Sequence, residues 1–149
     1  MTEQNINNDQ KIILCVAVWG EDFLRNFIEF SLNSLMSAGN IPYLSSQGNV
    51  AFVFYSDRHG IETLKVSNVL VELKKYAQVN FAEIKGKKIL GNYRTMNDCH
   101  RDFIKRNQDA TLFFICPDTV FSENALGYIF RKMVFGKKAV CIFTPRIDM

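Results

Sequence analysis

Residues 11–22 read KIILCVAVWGED, and this stretch decides the fold class. The residues from Ile12 to Val18 are apolar without the alternation that a strand with one solvent-exposed face shows. Continuous apolarity over this length is typical of a parallel strand that is covered on both faces. The stretch therefore predicts the first strand of an α/β domain, followed directly by Trp19 and Gly20.

Further apolar runs of strand length follow along the chain. They are Val50–Tyr55, Val79–Ile84, Thr111–Cys116 and Ala139–Phe143. Together with Ile12–Val18 they predict five strands. Residues 1–10 are polar and are interpreted as a flexible lead-in, and residues 11–149 as a single domain, since this length suits one core.

Amphipathic stretches between the runs predict four helices, the first of them from Asp22 to about Ala38. Apolar residues mark the other three: Val66, Val69, Leu70 and Leu73, then Met96, Cys99 and Phe103, then Leu126, Ile129, Phe130, Met133 and Val134. Ser122 is expected to cap the last helix and Gly136 to end it. The order βαβαβαβαβ favours a Rossmann-like three-layer sandwich with a mostly parallel, five-stranded sheet.

Composition limits the cellular context. The chain has 149 residues and a net charge of +3, and its strongest apolar runs are too short to span a bilayer. The first residues lack the basic start and apolar centre of a signal peptide. The basic residues are scattered, whereas a nucleic-acid interface needs them on one face. We expect a soluble, cytoplasmic protein without a membrane span or a nucleic-acid partner.

The four cysteines contain no CxxC pair. They are interpreted as reduced core residues. A zinc site formed by Cys99, His100, Cys116 and Cys141 is the alternative, although the clustered spacing of zinc ligands is missing.

Polar or aromatic residues follow the first two predicted strands, at the sheet edge where open α/β domains bind ligands. Trp19 could stack on a base or only close the end of the sheet. Asp57 could bind a ribose hydroxyl or only cap the next helix. The sequence leaves the two alternatives for Trp19 open, and for Asp57 we favour the helix cap.

The third helix begins in a polar segment, GNYRTMNDCH. Arg94 and the free N–H groups of a helix start could bind a phosphate. Alternatively, Thr95 and Asp98 could form a capping box. His100 could face the sheet edge, but we favour a core role for it.

The fourth strand runs into ICPDTVFS. Pro117 ends the strand and leaves Asp118 at the edge of the sheet. A carboxylate at this position could bind a divalent cation or a ribose, or close a turn.

The order and spacing of several motifs, over about residues 11–147, carry a family resemblance. The motifs are the Val-Trp-Gly opening, SLNSLMSAGNIPYL, YRTMNDCH, and FFICPDTVFSENAL followed by GKKAVCIFTPRI. They resemble bacterial glycosyltransferase-like proteins of the GT-A, nucleotide-diphospho-sugar transferase type. The resemblance implies the amino-terminal, nucleotide-binding half of such a protein. The acceptor-binding half is missing, so we expect a truncated or degenerate transferase.

The resemblance also assigns roles to residues. It implies that Asp118 contacts the diphosphate or a divalent cation, Mn²⁺ or Mg²⁺, and that Arg94 lies near the phosphates. It places Trp19 and Asp57 near the base or the ribose. The family usually has a DxD motif where this chain has Cys116–Pro117–Asp118, which keeps only the last Asp.

Two functions are therefore expected from the sequence. The leading one is a glycosyltransferase-like domain that binds a nucleotide sugar. The alternative is a non-catalytic nucleotide-binding or protein-interaction domain. Surplus apolar surface on the last helix predicts a homodimer or a partner subunit.

Overall fold

The structure is a computed structural model that describes residues 10–84, 92–135 and 139–141. Its elements are β1 (Lys11–Ala17), α1 (Glu21–Asn26), a π-helix (Phe27–Leu32), α2 (Asn33–Leu35), α3 (Ile41–Gln47), β2 (Asn49–Ser56), α4 (Arg58–Val66), α5 (Asn68–Leu73), β3 (Gln78–Glu83), α6 (Asn92–Arg106), β4 (Thr111–Ile115) and α7 (Ala125–Val134). The predicted lead-in falls on residues 1–9, outside this description, and on Gln10.

The sheet has four parallel strands in the order β3-β2-β1-β4. Strand β1 is central: it pairs with β2 from Lys11 to Ala17, and with β4 from Ile12 to Val16. The prediction of a parallel α/β fold is confirmed. The first four predicted strands are found within one residue of their expected bounds.

The side chains of β1 alternate between two cores. Leu14 and Val16 belong to a core that also contains residues of α1 to α5 and of α7. Cys15 points to the other face and belongs to a second core with Cys99 and Phe103 of α6. Because both faces of β1 are covered, every position in the strand can be apolar, which explains the unbroken run in the sequence.

The second predicted helix is two helices in the structure. Helix α4 ends at Val66, and Ser67, whose hydroxyl donates to the Leu64 carbonyl at 2.8 Å, separates it from α5. The break changes the buried face, so the prediction that Val66 lies on the apolar stripe is wrong. Val66 is 81% exposed, and Leu64 is buried instead.

Other helix bounds also differ from the prediction. The first helical segment ends at Leu35, and the connection after it contains α3, which buries Ile41 and Leu44. Proline in the first turn of α3 is compatible with a helix start, since it needs no N–H partner there. The N-cap of α7 is Asn124 and not Ser122, and Gly136 lies outside the described residues.

The predicted fifth strand, Ala139–Phe143, is not confirmed. Residues 139–141 are described and belong to no strand, and residues 142–149 lie outside the description. None of the described helices is long and apolar enough to cross a membrane.

The cysteines divide into two pairs. Cys15 and Cys99 are buried free thiols, as predicted. Cys116 and Cys141 are exposed, so the core prediction is wrong for these two. Cys116 follows the last residue of β4, where the chain leaves the sheet and neighbouring strands no longer cover it.

Asn40 joins the helices after β1 to the start of α7. Its side chain is fully buried. The amide nitrogen donates to the carbonyls of Ser34, at 3.0 Å, and Ser122, at 2.9 Å. Its oxygen accepts the Leu126 N–H at 2.9 Å. These contacts use the hydrogen-bonding capacity of the amide, so the side chain is well satisfied in the core.

We expect Asn40→Ala to lower the free energy of unfolding by about 2–4 kcal/mol, because buried backbone groups lose their partners. Urea denaturation measures this. Asn107→Ala is a matched control, since that side chain makes a single half-buried bond to the Phe103 carbonyl. It should cost about 1 kcal/mol. Equal losses for the two variants would contradict the joining role of Asn40.

Candidate functional site

The strand order reverses at β1, and this fixes where a ligand crevice can form. The chain proceeds outward from β1 to β2 and β3, and then returns to place β4 on the other side of β1. In open α/β sheets, ligands bind at the carboxyl ends of the strands beside such a reversal. The candidate site therefore lies between the loops that follow β1 and β4.

The loop after β1 is short and contains Trp19 and Gly20. The Val18 N–H still donates to the Tyr55 carbonyl at 2.9 Å, so the chain leaves the sheet only at Trp19. Trp19 is half-buried against the core that contains α6. Gly20 has a φ of 83°, which glycine adopts without strain, and its carbonyl accepts the Leu24 N–H at 2.9 Å. This backbone turn starts α1 directly at the crevice.

The loop after β4 begins with a tight turn that contains Asp118. The Thr119 N–H donates to the Cys116 carbonyl at 3.2 Å and closes this turn. The Asp118 side chain is exposed. Its carboxylate is therefore accessible at the strand end, as the sequence predicts.

Three of the predicted site residues follow neighbouring strands at matching positions. Ala17 pairs with Tyr55, so Trp19 and Asp57 each stand two residues beyond a paired position. Val16 pairs with Ile115, so Trp19 and Asp118 each stand three residues beyond. Neighbouring parallel strands are about 4.8 Å apart. The structure thus places Asp57, Trp19 and Asp118 in this order along one edge.

Four polar side chains bind the loop after β4 to the helical segment after β1 and to the turn that follows this segment. We call Ser31, Ser34, Ser37 and Asn40 the polar seam. Sequence analysis missed its role, because the contacts join residues more than 80 positions apart. A signal was present in the spacing, since a polar residue recurs at every third position beside the apolar residues Leu32 and Leu35.

Asp57 acts as a helix cap, one of the two roles that the sequence allowed. Its Oδ1 accepts the Gly60 N–H at 2.7 Å at the start of α4. Ser56, the last residue of β2, is fully buried against Gly60 and makes no side-chain hydrogen bond within the described residues. A side chain at position 60 would overlap the Ser56 hydroxyl, so a larger residue there would force Ser56 to shift. A ribose contact by Asp57 stays a prediction.

Arg94 lies in the first turn of α6 with an exposed side chain. Helix α6 ends near the amino end of the sheet, where Asp109 pairs with Lys11 of β1 at 2.5 Å. A helix of 15 residues is about 22 Å long, so its start reaches the carboxyl edge. Arg94 therefore approaches this edge from the face opposite to the polar seam.

The capping box of Thr95 and Asp98, the alternative that the sequence left open, is not formed at the start of α6. The helix already begins at Asn92, so Thr95 and Asp98 lie inside it. Asp98 faces Arg101 at 3.6 Å on the exposed surface. His100 packs edge-on against Phe114, with ring centroids 4.9 Å apart, and burial lowers its pKa. His100 is half-buried and makes this contact with the exposed Phe114, so the core role that we favoured for it stays a prediction.

The other perturbed groups on the α6 side have structural causes. Burial raises the pKa of Cys15 to about 12 and that of Cys99 to about 11, so both thiols stay protonated. The Tyr55 hydroxyl donates to Asp102 at 2.9 Å. Bonds from Arg106 and Tyr55 lower the pKa of Asp102. These contacts hold α6 on the sheet and leave no reactive base in this group.

A cation at the site would have few ligands from the protein. The described part of the chain contains no group of three or more His, Cys, Asp or Glu side chains that could share a metal ion. The alternative zinc set of Cys99, His100, Cys116 and Cys141 is not brought together among these residues. Asp118 could supply one carboxylate, so most ligands of a cation there would come from a diphosphate or water.

Comparison of the chain with protein-family models, with curated proteins and with solved structures found no match. The site is therefore interpreted from its own geometry.

The reactivity of the Cys116 thiol can be used to test whether the Asp118 carboxylate lies close to it. Partial desolvation of the thiol, and to a smaller degree the Asp118 carboxylate, raise the pKa of Cys116. Asp118→Asn removes the negative charge and should lower this pKa, so that alkylation by iodoacetamide at pH 8 becomes faster. The rate is measured in a Cys141→Ser background, because Cys141 is also exposed.

Asp57→Asn is the matched control, since it removes a carboxylate two strands away from Cys116 at the same edge. It should leave the alkylation rate unchanged. An equal rate in Asp118→Asn and in the parent would mean that the carboxylate does not lie close to the thiol.

Proposed function

We propose that the chain is a glycosyltransferase-like domain that binds a nucleotide sugar in the crevice between the ends of β1 and β4. The observation that carries this proposal is the reversal of strand order at β1, with Trp19 and Asp118 on its two sides. An aromatic ring and a carboxylate at adjacent strand ends suit a ligand with a flat base and a charged, metal-binding diphosphate.

Each residue then has a role that follows from its position. The half-buried ring of Trp19 stacks on the base. Asp57 is one strand farther from Asp118, and its Oδ2 is the oxygen that would accept a hydrogen bond from the base or the ribose, since Oδ1 accepts the Gly60 N–H. Arg94 approaches the phosphates from the α6 side, where a guanidinium fork can bind two oxygens.

Asp118 would hold Mn²⁺ or Mg²⁺ against the diphosphate. The cation stabilises negative charge on the nucleotide diphosphate as it leaves the sugar. The protein supplies a fixed carboxylate and a nearby guanidinium, both positioned before the charge develops. The described residues include no group of carboxylates at this edge, so we expect the protein to bind the cation weakly without the nucleotide.

The proposal keeps three further expectations from the sequence. A fifth strand within Ala139–Phe143 would complete the predicted three-layer sandwich, although residues 139–141 belong to no strand in the structure. The protein acts in the cytoplasm, where nucleotide sugars are available. The sugar is transferred only if an acceptor-binding part is present.

A non-catalytic domain is the second candidate, and two observations favour it. The triplet Cys116–Pro117–Asp118 offers one carboxylate where a DxD motif offers two. A groove beside β4 and α7, lined in part by Phe114 and Val140, has only uncharged residues in its described lining, and Phe114 is 44% exposed. Such a surface suits a homodimer or a partner subunit.

Trp19 is the single tryptophan, so its fluorescence reports on the crevice without background. We expect UDP or GDP with Mn²⁺ to quench the emission in a saturable way. Asp118→Ala should raise the dissociation constant about tenfold or more, because a hydrogen bond or ion contact to a charged group is lost. Asp109→Ala removes an exposed carboxylate at the opposite edge and should change nothing.

This titration, together with an assay of nucleotide-sugar hydrolysis, distinguishes the transferase from the non-catalytic domain. Unchanged emission with both nucleotides at millimolar concentration would reject the nucleotide site. Saturable binding together with hydrolysis of a nucleotide sugar that is lost in Asp118→Ala supports a transferase. Saturable binding without any hydrolysis supports the non-catalytic domain.

A further inference from the structure

We propose that the polar seam positions the turn of Asp118, so that Ser31, Ser34 and Asn40 are positioning residues for the candidate site. The ligand of Asp118 rests on the proposed function, whereas the mechanical role of the seam does not. Ser31 and Ser34 lie in the helical segment after β1, which starts at the crevice with Gly20, and Ser37 and Asn40 lie in the turn that follows it.

The seam first meets the loop directly beside Asp118. The Ser31 side chain is 2% exposed, and its hydroxyl donates to the carbonyl of Pro117 at 2.7 Å. This carbonyl belongs to the peptide group that also contains the Asp118 nitrogen. Rotation of that peptide group, which would swing the Asp118 carboxylate away, therefore requires the Ser31 bond to break.

Ser34, one helical turn after Ser31, also binds the loop after β4. Its hydroxyl accepts the Phe121 N–H at 2.9 Å and donates to the Ser31 carbonyl at 2.7 Å. Both functions of this hydroxyl are thus satisfied, and the loop is bound on the far side of Asp118 as well. The turn of Asp118 is held between two fixed points, Pro117 and Phe121.

The remaining contacts fix the end of the loop. Ser37 donates to the Glu123 carbonyl at 3.1 Å, and Asn40 to the Ser122 carbonyl at 2.9 Å. A Cβ at Gly39 would overlap Asn124 and the Glu123 carbonyl, so only glycine allows this close approach. The loop after β4 contains no helix or strand before α7, and the seam supplies partners that its backbone would otherwise lack.

Amide hydrogen exchange of the full chain, followed residue by residue by NMR, tests the seam. In Ser34→Ala the amides of Phe121 and Thr119 should exchange about three- to tenfold faster, the factor that corresponds to the loss of one hydrogen bond. The amide of Val18, which is bonded within the sheet, should be unchanged. Ser34→Thr keeps a hydroxyl and should restore slow exchange.

Ser45→Ala is the matched control, because the Ser45 hydroxyl bonds only the Pro42 carbonyl within α3. It should leave the exchange of Phe121 and Thr119 at the parent rate. Affinity for UDP with Mn²⁺ should fall in Ser34→Ala by a similar factor, with a melting temperature equal to that of Ser45→Ala. If Ser34 had a purely structural role, Ser34→Ala would change the melting temperature and leave the affinity for UDP unchanged.

Parent-like exchange of Phe121 and Thr119 in Ser34→Ala would overturn the proposal. If Ser34→Ala does not fold, Ser37→Ala takes its place: faster exchange confined to residues 119–126 supports the seam, and parent-like exchange overturns it. If the parent chain binds no UDP, the proposed function fails, and the exchange data still decide whether the seam holds the loop.

Discussion

Hydrogen bonds between the polar seam and the loop after β4 are the interaction on which the candidate site depends. The loop connects β4 to α7 and contains no regular structure of its own before α7. Its carbonyl and N–H groups at Pro117, Phe121 and Ser122 are instead paired with Ser31, Ser34 and Asn40. These three bonds are 2.7–2.9 Å long and part-buried, so the loop has one preferred path back across the sheet. This path leaves Asp118 at the strand end.

The seam also connects the two sides of the crevice. Ser31 and Ser34 belong to the helical segment that starts with Gly20, directly after Trp19, and the seam holds the loop that contains Asp118. Arg94 belongs to α6, on the other face of the sheet. A hydrogen bond from Tyr55 of β2 to Asp102 of α6 holds this helix, so the position of Arg94 does not depend on the seam.

Much of the sheet could be predicted from sequence, because a strand that is buried on both faces is apolar at every position. The run from Ile12 to Val18 shows this pattern. Val66 is exposed because the helix breaks at Ser67, and the spacing of apolar residues alone does not predict this break. Cys116 lies at the end of an apolar run, yet the chain leaves the sheet there and exposes it. The role of Asn40 arises from contacts with residues more than 80 positions away, and no local pattern encodes such a partner.

Paramagnetic broadening by Mn²⁺ in the presence of UDP tests the central claim most directly, because the effect falls steeply with distance from the ion. The account predicts that the amide signals of Gly20, Asp118 and Thr119 broaden first and that signals at the amino edge, such as Asp109, persist. Broadening that begins at Asp109, or at the exposed Glu72, while Thr119 stays sharp would contradict a diphosphate site between the ends of β1 and β4.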